Sequence, residues 1–276
     1  MPAFICETCG SQFTPSDAPP PSCPVCEDER QFVPAGGQRW TTLDKLTPGH
    51  FNCYQQYEPG LIGVGTVPKF AIGQRALILR AGGANILWDC ISFVDAATIE
   101  LVKGVGGLSA IAISHPHYYS TMVEWSRAFD GIPIHLHAAD RQWIMRPDPT
   151  IKLWDGDTLP IARGVTLVRC GGHFAGGTVL HWAGGAGGRG ALLSGDIVQL
   201  IPNRNYVSFM RSYPNLIPLS GPAVARIGAT LEPFSFEAVY GAFFDRVIPR
   251  GGKDALKRSI DRYVAIVQGD GTAEQL

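Results

Sequence analysis

The sequence lacks long hydrophobic runs. None approaches the roughly 20 apolar residues needed to span a bilayer, so no membrane partner is expected. It also lacks net charge. Lys and Arg number 23 against 24 Asp and Glu, a balance of −1, which argues against a general attraction to nucleic acid or acidic membrane surfaces. Met1-Pro2-Ala3-Phe4-Ile5-Cys6 lacks the charged start and apolar stretch of a signal peptide, so a cytoplasmic address is expected. An even cysteine count is missing too. Seven cysteines fit a reducing compartment better than a disulfide framework. No internal repeat is visible, and histidine is absent after His181.

What is present is ordinary globular material, 276 residues with 45% hydrophobic side chains, enough for a large core. The 33 glycines and 21 prolines suit many short strands joined by turns.

Four of the cysteines lie early, as Cys6-x-x-Cys9 and Cys23-x-x-Cys26, with thirteen residues between the pairs. Two such knuckles can supply four thiolates to one tetrahedral ion. The stretch 14–22 has no core of its own, so the ion would supply much of the folding energy. The segment resembles a zinc ribbon, or alternatively a rubredoxin-like iron knuckle. Residues 1–36 carry five acids (Glu7, Asp17, Glu27, Asp28, Glu29) and one base, Arg30. That balance is wrong for phosphate binding. A structural cap, a protein contact or a homo-oligomer contact is expected of the ribbon instead, with 34–38 as the linker.

A second set of candidate metal ligands follows in the remaining chain. An apolar run ends in His115-Pro116-His117, where alternate residues of an extended chain would face one point. Cys170-Gly171-Gly172-His173 places another imidazole in a glycine-rich turn, and Ser194-Gly195-Asp196 ends a further apolar run on a carboxylate. In this order the motifs resemble the metallo-β-lactamase-fold superfamily, over most of the chain from about Trp40. Leu87-Trp88-Asp89 resembles that superfamily's early strand-Asp motif, which implies a structural role for Asp89. The resemblance implies an α/β fold, a four-layer αβ/βα sandwich at 37–276, preceded by a small four-cysteine zinc ribbon at 1–36. It implies metal ligands at His115, His117, His173 and Asp196.

The departures from that pattern point to a single ion. Where the family has HxHxDH, this chain continues to Tyr119 and Ser120, and the stretch 239–245, which includes Phe243, has no histidine. The ligands of a second ion are therefore missing, and one zinc or iron is expected beside the ribbon's zinc. Tyr118, Tyr119 and His137 are candidates for contacts around the site, with Tyr119 expected to fill the vacated position.

Periodicity places strands at 61–67, 75–79, 86–90, 110–114, 132–136, 165–168, 178–182, 191–194 and 238–243, and helices at 96–103, 122–129, 138–145, 222–231 and 253–267. The glycine-rich stretch 184–190 reads as a hairpin connection. The expected function is a metal-dependent hydrolase acting on a small ester, thioester, lactone or amide. A mononuclear iron oxidoreductase, resembling persulfide dioxygenases, and a non-catalytic binding protein are the alternatives.

Overall fold

Alternation along the strands sorts the apolar residues into layers. In Ala76–Ala81, Leu77 and Leu79 face one way and Ile78 the other; in Ala84–Trp88, Ile86 and Trp88 oppose Leu87. The structure, a computed structural model describing residues 1–269, stacks two sheets on the shared inner layer. One sheet runs in the order Phe51–Glu58, Leu61–Val67, Ala76–Ala81, Ala84–Trp88, Ala110–Ala112, Ile134–His137, Ile151–Trp154. The other runs Thr158–Ala162, Val165–Arg169, Thr178–Trp182, Ala191–Gly195, Ala238–Gly241, Val247–Ile248. Leu77, Leu79 and Trp88 meet Leu167, Leu180 and Leu193 between the sheets.

The outward residues meet helices. Ile78, Leu87 and Ile111 pack with Val102 of Ala96–Gly104 and with Val123 and Trp125 of Met122–Ala128. Leu192 and Val239 pack with Val224 and Ile227 of Gly221–Leu231 and Leu256 of Gly252–Gln268. This is the four-layer αβ/βα sandwich. Each large side chain buried in these layers contributes about 1.5–3 kcal/mol relative to exposure.

Several elements differ from expectation, among them the unforeseen strands Ile151–Trp154, Thr158–Ala162 and Val247–Ile248. Phe51–Glu58 is an edge strand, hidden in the sequence because Gln55 interrupts the alternating Phe51, Cys53 and Tyr57 and half of its residues are polar. The helix expected at 138–145 is a 3-10 segment, Ala138–Trp143. Pro147 and Pro149 follow closely and offer no N–H to a continuing helix. The stretch 184–190 does join two antiparallel strands, Thr178–Trp182 and Ala191–Gly195.

The ribbon closes on itself beyond residue 36. Ile5–Cys6 pairs with Trp40–Thr41, and Gln38 Nε2 donates to Cys6 Sγ at 2.9 Å. Residues 34–37 form a turn inside the ribbon, with Gly37 N donating to the Pro34 carbonyl. The module is seated on the sandwich: Gln12 N donates to Ser120 O at 3.1 Å, Ser92 Oγ donates to Gly10 O at 3.0 Å, and the cysteine cluster packs on Trp143 and Met145. No helix among the described residues is long and apolar enough to cross a membrane.

Candidate metal sites

Cys6, Cys9, Cys23 and Cys26 are buried, free of disulfides and convergent. The Cys6–Cys26 and Cys9–Cys23 sulfurs are each 3.6 Å apart. A tetrahedron with metal–sulfur bonds of about 2.3 Å has edges of roughly 3.8 Å, so the four thiols are spaced for an ion. Hydrogen bonding from its neighbours holds the Cys6 thiol well below its usual range, while Cys9 and Cys26 are pushed up by the same neighbours and by burial.

His115, His117 and His173 form the second convergent group, all buried. One ring nitrogen from each lies within 4.8 Å of the others, and the ring centroids stand 4.9–5.3 Å apart. His115 is extended, at φ −168° and ψ 169°, as the sequence suggested. Pro116–Tyr118, however, is a 3-10 turn. The turn, not strand alternation, brings His117 round to face His115.

Backbone and side-chain contacts fix the imidazoles. His173 Nδ1 lies 3.2 and 2.8 Å from the carbonyl oxygens of Met210 and Arg211. Carbonyls only accept, so Nδ1 carries the proton and Nε2 carries the lone pair. That lone pair faces His117 Nδ1 at 3.3 Å, close to the roughly 3.3 Å edge of a tetrahedron with 2.0–2.1 Å metal–nitrogen bonds. His115 Nδ1 lies 2.8 Å from Ser114 Oγ, and its Nε2 is buried without a partner, as is Nε2 of His117. Orphaned buried nitrogens are costly unless something binds them. Burial and the neighbouring imidazoles push His115 and His117 well below the usual histidine range, and burial takes His173 down to about 4. Neutral imidazoles are the form that binds a metal ion.

Asp196 stands at the margin of this group. Its Oδ2 is 3.7 Å from His115 Nε2, its Oδ1 is buried without a partner, and burial raises its carboxyl to about 7. It is not among the atoms that converge most tightly, but an ion would lower that pKa again by direct attraction. Gly195 brings it there: at φ +51°, a Cβ on this residue would stand 2.6 Å from Ser114 Oγ.

Asp89 lies beneath the site. Its Oδ1 accepts from Ser114 N at 2.7 Å, and burial raises its carboxyl to about 8. It anchors the backbone that leads into His115. Tyr118 packs edge-on to His115 at 5.3 Å and donates to the Ala242 carbonyl at 3.3 Å. Tyr119, expected to fill the vacated second site, instead lines a small cavity with Ser11, Gln12 and Trp143, facing the ribbon. Phe243 does line the cleft that holds His117 and Asp196. His137 takes no part in the cluster: its ring nitrogens meet Gly156 O at 3.1 Å and Ala139 N at 3.2 Å.

Several residues of the site gave no sequence signal. Phe174 packs against all three imidazoles, Tyr213 donates to Asp196 O at 2.8 Å, and Arg30 of the ribbon reaches the His173 carbonyl. Arg30 was conspicuous only as the lone base among acids. A cleft of about 160 Å³ opens over His117 and Asp196, bordered by Arg30, Gln31, Gln199 and Tyr213.

Comparison with known proteins agrees with this fold. No family model matches the chain. The solved structures it resembles include the mono-zinc form of the metallo-β-lactamase FIM-1 from Pseudomonas aeruginosa, with 13% identity, a TM-score of 0.58, and coverage of 77% of this chain and 96% of that one. A metallo-β-lactamase from Hirschia baltica gives 18% identity and a TM-score of 0.53, with 77% and 97% covered. The uncharacterized protein YmaE of Bacillus subtilis (strain 168) is 45% identical over 272 residues, 98% of each chain. The chain therefore has the metallo-β-lactamase fold, preceded by a small four-cysteine ribbon, and belongs to the same family as YmaE.

Proposed function

We propose that this protein is a metal-dependent hydrolase with one catalytic ion, held by His115, His117 and His173 with Asp196 as the fourth ligand. The observation that carries the reading is the convergence of three buried, neutral imidazoles, one of which, His117, lines a cleft beside Asp196. When bound, a divalent ion supplies Lewis acidity, polarising a scissile carbonyl and acidifying water. Among the described residues only two groups of three or more metal-binding side chains converge, the four cysteines and these three histidines. That supports one ion per site. FIM-1 in its mono-zinc form supports a single ion on this fold.

The cleft is smaller than the roughly 300 Å³ at which drug-sized pockets begin, which favours a small-molecule substrate. Its border mixes polar groups (Gln31, Gln199, Tyr213) with apolar ones (Ile72, Pro214, Phe243), suited to an ester, thioester, lactone or amide with an apolar body. Seven free cysteines fit a cytoplasmic address. A protein partner or second copy engaging the ribbon would meet the exposed Phe32 and Val33.

Elemental analysis of protein purified without added metal, followed by a panel of small acyl substrates, tests this. Two zincs per chain are expected, with His115→Ala losing one of them and all hydrolysis. Iron at the histidines would move the protein to the non-haem iron oxidoreductases. Zinc confined to the ribbon, with no turnover, would make it a binding protein.

A further inference from the structure

Arg30, delivered by the ribbon, ends inside the candidate site. Its Nε and Nη2 donate to the two carboxylate oxygens of Asp28 at 2.5 and 2.7 Å, and Nη1 lies 3.4 Å from the His173 carbonyl oxygen. Its guanidinium carbon is 4.0 Å from the Phe174 ring centroid and 5.1 Å from that of Trp143. Phe174 in turn touches all three imidazoles, at centroid distances of 5.0–5.5 Å. The residues around Arg30 are tied down as well. Glu29 pairs with Arg211, and Asn215 Nδ2 donates to the carbonyls of Glu29 and Gln31 at 2.8 and 3.0 Å. The loop that receives these ties also carries the Met210 and Arg211 carbonyls facing His173 Nδ1, and Tyr213, which donates to Asp196 O.

We propose that Arg30 is a positioning residue of the three-histidine centre and that the ribbon is its roof, so that the four-cysteine centre supports the histidine centre through residues 28–31. The proposal rests on reading the histidines as a metal site. The physical reason is the cost of disorder in ligands: partners that orient a metal-binding imidazole are worth about 10–100-fold in affinity. Arg30 restrains the cluster in two ways, by cation–π contact with Phe174 and by its hydrogen bond to the His173 backbone. The planar fork meets Asp28 and the rings at once, which a lysine ammonium has no geometry to do. Arg30 lies four residues past Cys26, so order in the cysteine cluster is passed directly to it.

Cobalt titration of the full-length protein tests this, because thiolate-bound and imidazole-bound cobalt absorb differently and each centre is read separately. Arg30→Ala and Arg30→Lys are expected to keep the thiolate-bound ion and to bind the imidazole-bound ion about 10–100-fold more weakly. Asn215→Ala, which leaves the ribbon and the guanidinium in place but cuts the tie to residues 29 and 31, should weaken the same ion. It also covers the case in which an Arg30 variant folds poorly. Unchanged affinity at the imidazole centre in Arg30→Ala and Asn215→Ala overturns the proposal, even if the unfolding midpoint falls. If the wild type takes up only thiolate-bound cobalt and His115→Ala changes nothing, the metal reading itself has failed and the roof role goes with it.

Discussion

For single residues, burial sets the chemistry. Asp140 illustrates it away from the imidazoles. Its Oδ1 accepts from Gly176 N at 2.9 Å, tying the 3-10 segment to the turn that carries His173. Burial raises its carboxyl to about 6, against the pull of that N–H, whereas the unfolded value is about 3.9. The folded pKa lies above the unfolded one, so the folded state prefers the protonated acid. That contribution is full below about pH 4 and is lost as the pH rises through about 6. Above that window the fold carries a buried carboxylate, at a cost of about 2–3 kcal/mol. Asp140→Asn keeps an oxygen for Gly176 N and carries no charge. It is expected to be more stable than wild type by about 2 kcal/mol at pH 7, with the gap closing near pH 4. Denaturant midpoints at the two pH values decide it; an equal gap at both would contradict the assignment.

Among the elements, what could be read depended on where a strand sits. Strands buried on both faces, such as Ala191–Gly195, carry continuous apolar runs and were legible. The edge strand Phe51–Glu58 was not, because its exposed polar residues hide the period-2 pattern. The His-x-His element was found, but by an alternation that Pro116–Tyr118 does not follow. The loop after Asp196 was opaque: its two short ladders, Gln199–Leu200 with Val207–Ser208 and Met210–Ser212 with Ile217–Pro218, are too brief to show a period. A direct check on the layering is Leu193→Ala, which opens a cavity between the two sheets and is expected to cost about 2–5 kcal/mol. Leu153→Ala, on a side chain 42% exposed, should stay within about 0.5 kcal/mol. Similar losses in the two variants would mean that the inner layer is wrongly assigned.

Across the molecule as a whole, the two centres differ in what they support. The sandwich has its own three apolar layers, while the ribbon's small cluster is built on the four cysteines. Stripping metal with a strong chelator is therefore expected to open the ribbon and leave the sheets intact. Trypsin should then cut after Arg30 and Arg39, which mass spectrometry detects, while far-UV circular dichroism changes little. Resistance at Arg30 in metal-free protein would show that packing alone holds the ribbon.

Much of the fold, and the candidate ligands, could be read from the chain itself. Apolar periodicity is a local property, and the Cys-x-x-Cys pairs are readable in place, whereas His115, His117, His173 and Asp196 pointed to a metal only as an ordered set of short motifs. Their surroundings came from three-dimensional packing. Arg30 and Phe174 are separated by 144 positions, yet the guanidinium stacks on the ring; Tyr213 lies 17 positions from Asp196 and bonds its backbone. Such partners are selected by the distance between packed layers and not by spacing along the chain. A lone base in an acidic segment therefore read as a minority charge, although folding places it beside the three converging histidines.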